Sequence, residues 1–187
     1  ILRYATAVRM PQCKVLCVGP KRAGKSVIAN FLGNDSAGSL DLSRSYAATA
    51  GCRILEFEAQ SASTPRSASK TAAAVPVELW DCSGDPDFQS CWPAMMHGAI
   101  GVVLVYNPDN SAHEDEVSLW HEFFVQKAAD IGDQRCLVLA HRGKLAATAG
   151  GGPPTLPLLK RCKVVTTDRD SAALIRRSFA EFVQSIA

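Results

Sequence analysis

Hydrophobic residues fall along this chain in short blocks of two periods. Lys14 to Val18 is apolar, β-branched and runs straight into a glycine-containing loop, which predicts a first strand. A helix is expected from Lys25 to Leu32, followed by a polar, poorly periodic loop over 33–50. Two stretches then alternate strictly: Leu55 and Phe57 against Glu56 and Glu58, and Val75, Val77 and Leu79 against Pro76, Glu78 and Trp80. Period two predicts two strands, each with one buried face. The stretch that joins them, 60–74, is rich in Ser and Ala and contains Pro65, so it reads as a flexible hairpin extension. Ala99 to Tyr106 is apolar throughout, as a central strand covered on both faces would be. Ser111 and Glu114 have capping-box spacing, and the helix after them carries Val117, Trp120, Phe124 and Ala128 on one side. Cys136 to Ala140 predicts a buried strand and Lys163 to Val165 a last one, with a Gly/Pro-rich loop over 144–160 between them. Ile175, Phe179, Phe182 and Ile186 recur on one helical face. Strands alternating with helices indicate an α/β fold: a mostly parallel six-stranded sheet flanked by helices, with one antiparallel edge hairpin. No repeat or second domain is visible, so 1–187 is read as one domain.

Composition narrows the picture. The 187 residues are 47 % hydrophobic, enough for one sizeable core, and 20 basic against 18 acidic residues leave a net charge of +2. That balance argues against a nucleic-acid or membrane-surface binder. No apolar run reaches the roughly 20 residues a membrane helix needs, and the N-terminus lacks the build of a signal peptide. The chain begins at Ile1, not Met, so missing terminal signals carry little weight. The seven cysteines are scattered and odd in number, which argues against a disulfide framework and for a reducing, intracellular compartment. No C-x-x-C pair occurs, which gives a zinc site little support.

The chemistry concentrates in Gly19-Pro20-Lys21-Arg22-Ala23-Gly24-Lys25-Ser26, which fits G-x-x-x-x-G-K-[ST] between a strand and a helix. Backbone amides of such a loop cradle phosphate oxygens, and the helix adds its positive end. Lys25 is expected to bridge the terminal phosphates, Ser26 to ligate magnesium, and Lys21 through Val27 to line the nucleotide. Asp81-Cys82-Ser83-Gly84 closes the second alternating strand. There Asp81 can hold magnesium through water and the Gly84 amide can meet a terminal phosphate. Alone, D-x-x-G is equally an acidic turn; paired with the phosphate loop through a hairpin it is a strong signal. Ser26 and Asp81 are 55 positions apart, a long gap that the 60–74 insertion explains. No arginine-rich lid of a nucleotide kinase follows.

These motifs resemble the Ras-like small GTPases across nearly the whole chain. The strings at 51–58, 78–82 and 90–95, with Gly101-Val102-Val103 and Leu139-Ala140-His141, more narrowly resemble the Rab-like small GTPase subunit of intraflagellar transport complex B. The resemblance implies a P-loop G-domain fold, GTP or GDP with Mg2+ as cofactors, and a place at the cilium or flagellum and its base within the cytoplasm. It also implies coiled-coil subunits of that complex as partners, reached through the switch regions. Thr49 matches the threonine of the first switch, which closes on magnesium and the terminal phosphate; otherwise it is an ordinary polar loop residue. Gly84 opens the second switch.

Departures from the family pattern matter more. GTPases that hydrolyse well usually have glycine where Lys21 stands, and a water-orienting glutamine where Asp85 stands. A carboxylate there is short and repels phosphate. The expectation is slow or absent hydrolysis, with a switching GTPase of genuine turnover as the alternative and an ATP-binding P-loop protein as a third. The base-reading Asn-Lys-x-Asp is replaced by His141-Arg142-Gly143-Lys144. Lys144 only donates, so it cannot read the guanine N1–H edge, though it can meet guanine O6. His141 either contacts the base or caps its strand. The residues leave guanine against adenine open, and the resemblance favours guanine.

After the second switch come Phe88, Cys91, Trp92, Pro93, Met95 and Met96. Part of this run must pack beneath a switch helix. Phe88, Trp92 and Met95 are expected to meet a partner, as exposed aromatic and Met side chains suit an interface. The chain ends Gln184-Ser185-Ile186-Ala187, without the C-terminal cysteine motif of many Rab proteins, so membrane attachment is expected through a partner.

Overall fold

The computed structural model describes residues 13–43, 45–60, 74–128, 130–143 and 156–187. Most of the hairpin extension, most of the 144–160 loop and the base-facing candidate Lys144 lie outside the described residues. Strands β1 (Cys13–Val18), β2 (Cys52–Ala59), β3 (Val75–Cys82), β4 (Gly101–Tyr106), β5 (Cys136–His141) and β6 (Lys163–Thr167) form one sheet in the order β2-β3-β1-β4-β5-β6. Among the described residues only β2 and β3 pair antiparallel; the other four pairings are parallel. The expected six-stranded α/β sheet with one antiparallel edge hairpin is therefore the observed one.

β4 and β5 are buried along their whole lengths, and β1 everywhere except Lys14, because both sheet faces are covered. Alternation divides each strand between two cores. Val15 and Cys17 join Ile28 and Phe31 of α1 (Lys25–Leu32) and Ile175, Phe179 and Phe182 of α4 (Ala172–Ile186). Leu16 and Val18 face the other way, toward Trp92 of α2 (Trp92–Met96) and Val117 and Trp120 of α3 (Ser111–His121).

One element departs from expectation at its start. Ser111 is the first helical residue of α3, and the cap is Asn110, whose side chain accepts from the Ala112 amide at 3.2 Å. Asn110 is extended, and its short amide reaches the free donor as an N-cap requires. At its far end α3 widens into a π turn over Glu122–Gln126, closed by Lys127 N to Glu122 O at 2.8 Å. The wider turn keeps Phe124 and Ala128 on the buried side with Val117 and Trp120.

Strand β1 lies between β3 and β4, so the loops leaving the C-terminal ends of β1 and β3 emerge side by side. In an open α/β sheet this reversal of strand order is where ligands bind.

Candidate nucleotide and magnesium site

Strand β1 delivers the chain at Val18 into the glycine loop. Gly24 turns it at φ +96°, a left-handed conformation suited to glycine, and Arg22 sits at +60°. Gly24 also caps α1 with no side-chain hydrogen bond, so amides of the first turn face the loop's interior. Lys25 follows and is buried; its Nζ donates to the Gly19 and Pro20 carbonyls, both at 2.7 Å. Burial pulls its pKa down, against the opposing pull of Cys17 and Asp81. The ammonium is thus fixed inside the loop as a point charge.

Gly84 arrives from the end of β3 and approaches closely. A Cβ there would stand 2.6 Å from both the Lys21 amide nitrogen and Lys25 Nζ, so this crossing of the two loops admits no side chain. Beside it, Ser26 Oγ and Thr49 Oγ1 are 2.9 Å apart, and Thr49 Oγ1 donates to Asp81 Oδ2 at 3.5 Å. Asp81 is wholly buried. Its Oδ2 also accepts from Arg53 Nε at 3.1 Å and Nη2 at 2.7 Å, while its Oδ1 has no partner. Two hydroxyls beside a buried carboxylate that keeps one oxygen without a protein partner are a hard-oxygen set that fits Mg2+. Ser26 and Thr49 would hold such an ion, with Asp81 behind a bound water.

Lys21 and Asp85 close the phosphate end from outside, with Nζ and Oδ2 2.6 Å apart. Each lies at the surface, and their hydrogen bond raises the Lys21 pKa and lowers that of Asp85.

At the other end, Arg22, Ala23, Gly24 and Val27 line a cleft of about 240 Å³ together with Asn107, His141 and Arg142. His141 is buried, and a Cβ on Gly24 would stand 2.8 Å from its Cδ2. Its Nδ1 pairs with Thr167 Oγ1 at 3.1 Å, and burial pushes its pKa below 6.5, keeping the ring neutral. His141 therefore seats the phosphate loop and borders the cleft at once.

Two residues of the site carried no sequence signal. Arg53 lies directly opposite Asp81 across the β2–β3 ladder and also reaches Asn30 Oδ1 at 3.1 Å. His113, buried in α3, accepts from the Asn107 amide through Nδ1 at 3.1 Å, and its ring also hydrogen-bonds the Lys21 backbone. It ties the phosphate loop to the loop after β4.

The expected partner-facing run must be corrected. Trp92 is only 1 % exposed and Met95 is buried. Trp92 packs on Trp120, Phe123 and Phe124 with ring centroids 4.5, 4.9 and 5.0 Å away. Trp92 and Met95 stand three residues apart, on the side of α2 that packs onto the second core. Phe88, in the turn Pro86–Cys91, is half-buried. The large apolar side chains that are exposed near the site are Leu42, Tyr46 and Ile54.

A phosphate loop, a D-x-x-G turn and a threonine-bearing loop on this sheet define a GTPase domain of the Ras-like class. The family model described as "Ras of Complex, Roc, domain of DAPkinase" matches residues 14–142. The chain is 38 % identical over 179 residues to the intraflagellar transport protein 22 homolog of Homo sapiens, covering 95 % of this chain and 91 % of that one. It is 31 % identical over 173 residues to intraflagellar transport protein 22 of Trypanosoma brucei, covering 84 % and 77 %. A GTP-bound crystal structure of T. brucei IFT22/74/81 superposes with a TM-score of 0.72 at 27 % identity over 95 % of each chain. A GDP-bound structure of T. brucei IFT22 gives 0.68 at 26 % identity, over 95 % of this chain and 97 % of that one. The chain belongs to the intraflagellar transport protein 22 family of Ras-like GTPases.

Proposed function

We propose that this chain is a GTP- and GDP-binding subunit of an intraflagellar transport complex, in which nucleotide stabilises a switch surface for partner subunits and hydrolysis is slow or absent. The observation that carries the reading is the Lys21–Asp85 ion pair. It puts a carboxylate where a GTPase needs a neutral water-orienting amide, and it engages that carboxylate with the residue that fills the usual glycine position. Lys25 and the loop amides hold the phosphates, and Gly84 gives the second switch its close approach. Magnesium, when bound, neutralises phosphate charge beside Ser26 and Thr49. Thr49 and Gly84 belong to the two segments whose order then depends on the terminal phosphate. Guanine preference rests on the GTP- and GDP-bound relatives, since Lys144 replaces the aspartate that ordinarily reads the base.

Titrating nucleotide-stripped protein with fluorescent GDP and ADP tests the base, and equal affinity refutes guanine preference. A single-turnover assay tests the brake, and a rate matching an activator-stimulated GTPase refutes it. The alternative, a switching enzyme with turnover, draws on Thr49 already lying against Ser26 and Asp81; the same assay separates the two.

For partners, the T. brucei IFT22/74/81 complex supports subunits of the same transport assembly, and we assign them coiled-coil character and contact through the switches. Tyr46 and Ile54, 59 % and 51 % exposed, flank the Thr49 segment and replace Trp92 as candidate anchors, with Phe88 beside the second switch. The relatives' names tie the family to the cilium or flagellum. No helix among the described residues is long and apolar enough to cross a membrane.

A further inference from the structure

At the opposite end of the sheet from the nucleotide loops, three side chains from three segments converge. His121 ends α3, Asp133 opens the 3-10 turn Asp133–Arg135 before β5, and Cys162 immediately precedes β6. His121 Nε2 lies 2.9 Å from Asp133 Oδ1, and Cys162 Sγ lies 3.6 Å from each of those atoms. His121 and Cys162 are buried, while the Asp133 side chain is 24 % exposed, so one side of the cluster opens toward water.

The geometry separates two chemistries. A Cys–His–Asp relay uses the two ring nitrogens separately, one for the thiol and one for the carboxylate. Here sulfur and carboxylate meet the same Nε2 and each other, so no proton path runs through the ring. A closed triangle of sulfur, nitrogen and oxygen is instead one face of a coordination shell. Zinc bonds of about 2.3 Å to sulfur and about 2.0–2.1 Å to nitrogen and oxygen place tetrahedral ligands roughly 3.5 Å apart. Both sulfur edges match, and the shorter nitrogen–oxygen edge is a hydrogen bond that opens when an ion replaces its proton. Magnesium and calcium prefer all-oxygen sets, whereas a thiolate, an imidazole and a carboxylate suit zinc.

We propose that His121, Asp133 and Cys162 form a zinc site that ties the end of α3 to the starts of β5 and β6, with a fourth position open on the Asp133 side. Cys136 supports it. Leu137 pairs with Lys163, so Cys136 and Cys162 stand side by side one residue earlier, and the Cys136 thiol hydrogen-bonds the Cys162 sulfur. Binding forms Zn–S, Zn–N and Zn–O bonds and releases the Cys162 thiol proton to solvent; the proton displaced from His121 Nε2 passes to water while Nδ1 takes one up, so the ring stays neutral, and nothing is oxidised.

The test uses the full chain loaded with GDP, freed of transition metals and kept in a non-thiol reductant. Cobalt(II) is titrated as the spectroscopic probe, followed by zinc. The expected result is one cobalt per chain with a thiolate-to-cobalt charge-transfer band and intense tetrahedral d–d bands, all removed by zinc. Cys162→Ser abolishes the charge-transfer band while GDP affinity stays at the wild-type value. Cys136→Ser keeps the band and weakens zinc binding about tenfold, as loss of a supporting contact does. No thiolate band at saturating cobalt, or a band that survives Cys162→Ser, overturns the proposal. Should Cys162→Ser fail to fold, the partly exposed Asp133→Asn decides: zinc affinity equal to wild type overturns it, and a loss of tenfold or more, by about the same measure, supports it.

Discussion

The Lys21 ammonium and the Asp85 carboxylate meet at 2.6 Å across the gap between the phosphate loop and the second switch. Each departs from what a fast GTPase carries at its position, and together they neutralise one another. The pair is solvent-exposed, so it contributes little to stability; its effect is positional. Under the proposed function it would hold a carboxylate beside the terminal phosphate, in the space where a glutamine would orient water. The double substitution Lys21→Gly with Asp85→Gln should raise the single-turnover rate by about tenfold or more. An unchanged rate in a variant that still binds GTP would show that the pair is no brake.

Gly84 has a sharper steric role. With a Cβ only 2.6 Å from the Lys21 amide and Lys25 Nζ, Gly84→Ala must push the second switch off the phosphate loop. The displacement falls at the terminal phosphate, so GTP affinity should drop by about tenfold or more while GDP affinity changes less. Equal losses for both nucleotides, measured by calorimetry, would place the damage elsewhere.

Trp92 is core. Packed on Trp120, Phe123 and Phe124, it should cost about 3–5 kcal/mol when replaced by alanine, read as a lowered denaturant midpoint. Tyr46→Ala, at an exposed position, should leave stability nearly unchanged and weaken partner capture. The reverse pattern would restore the α2 segment as the docking face.

Arg53 neutralises a wholly buried carboxylate through two hydrogen bonds, at 3.1 and 2.7 Å. Removing it leaves the Asp81 carboxylate with the Thr49 hydroxyl as its hydrogen-bond donor and Lys25 as the nearby cation. Because the guanidinium is itself 45 % exposed, Arg53→Ala should cost about 2 kcal/mol, less than a fully buried pair would. Thermal unfolding of the magnesium-free protein reads this loss, and a midpoint equal to wild type refutes the assigned role.

The sheet and the phosphate loop were legible because their signals are local. Lys14 to Val18 is apolar, the glycines fall at fixed offsets from Lys25, and Leu55 and Phe57 alternate with glutamates. The misreadings come from contacts that no window spans. Arg53 faces Asp81 only through the β2–β3 register, and the 60–74 insertion hides that register from the sequence. Trp92 has the composition of an interface residue and the position of a core residue; the difference lies in aromatic partners on α3 and the turn after it. His121, Asp133 and Cys162 lack any metal-binding spacing because the sheet, not a motif, brings them together. Asn110 and Ser111 both qualify as a cap by type, so the sequence alone places the start of α3 one residue late.

Two buried histidines make the fold sensitive to mild acid. Burial lowers the pKa of both His113 and His141 from 6.5; Glu116 and the Lys21 backbone oppose this at His113, while Lys25 adds to it, and Asp168 opposes it at His141. In the unfolded chain both rings take up protons near 6.5, while in the fold they resist until a lower pH. Between those values the unfolded state binds more protons, so stability rises with pH across the window. It is complete above 6.5 and is lost as pH falls from there toward the folded values, at up to about 1.4 kcal/mol per pH unit for each residue. His121, whose pKa is raised chiefly by its hydrogen bond with Cys162, acts in the opposite sense and only above 6.5. Urea midpoints measured on either side of pH 6 should therefore fall on acidification, and His113→Gln should remove part of that slope. The same substitution cuts the tie between the Lys21 backbone and the Asn107 amide, so nucleotide affinity should fall several-fold at neutral pH as well. A slope identical to wild type in the variant would mean that His113 titrates alike in both states, and that its burial leaves the proton balance untouched.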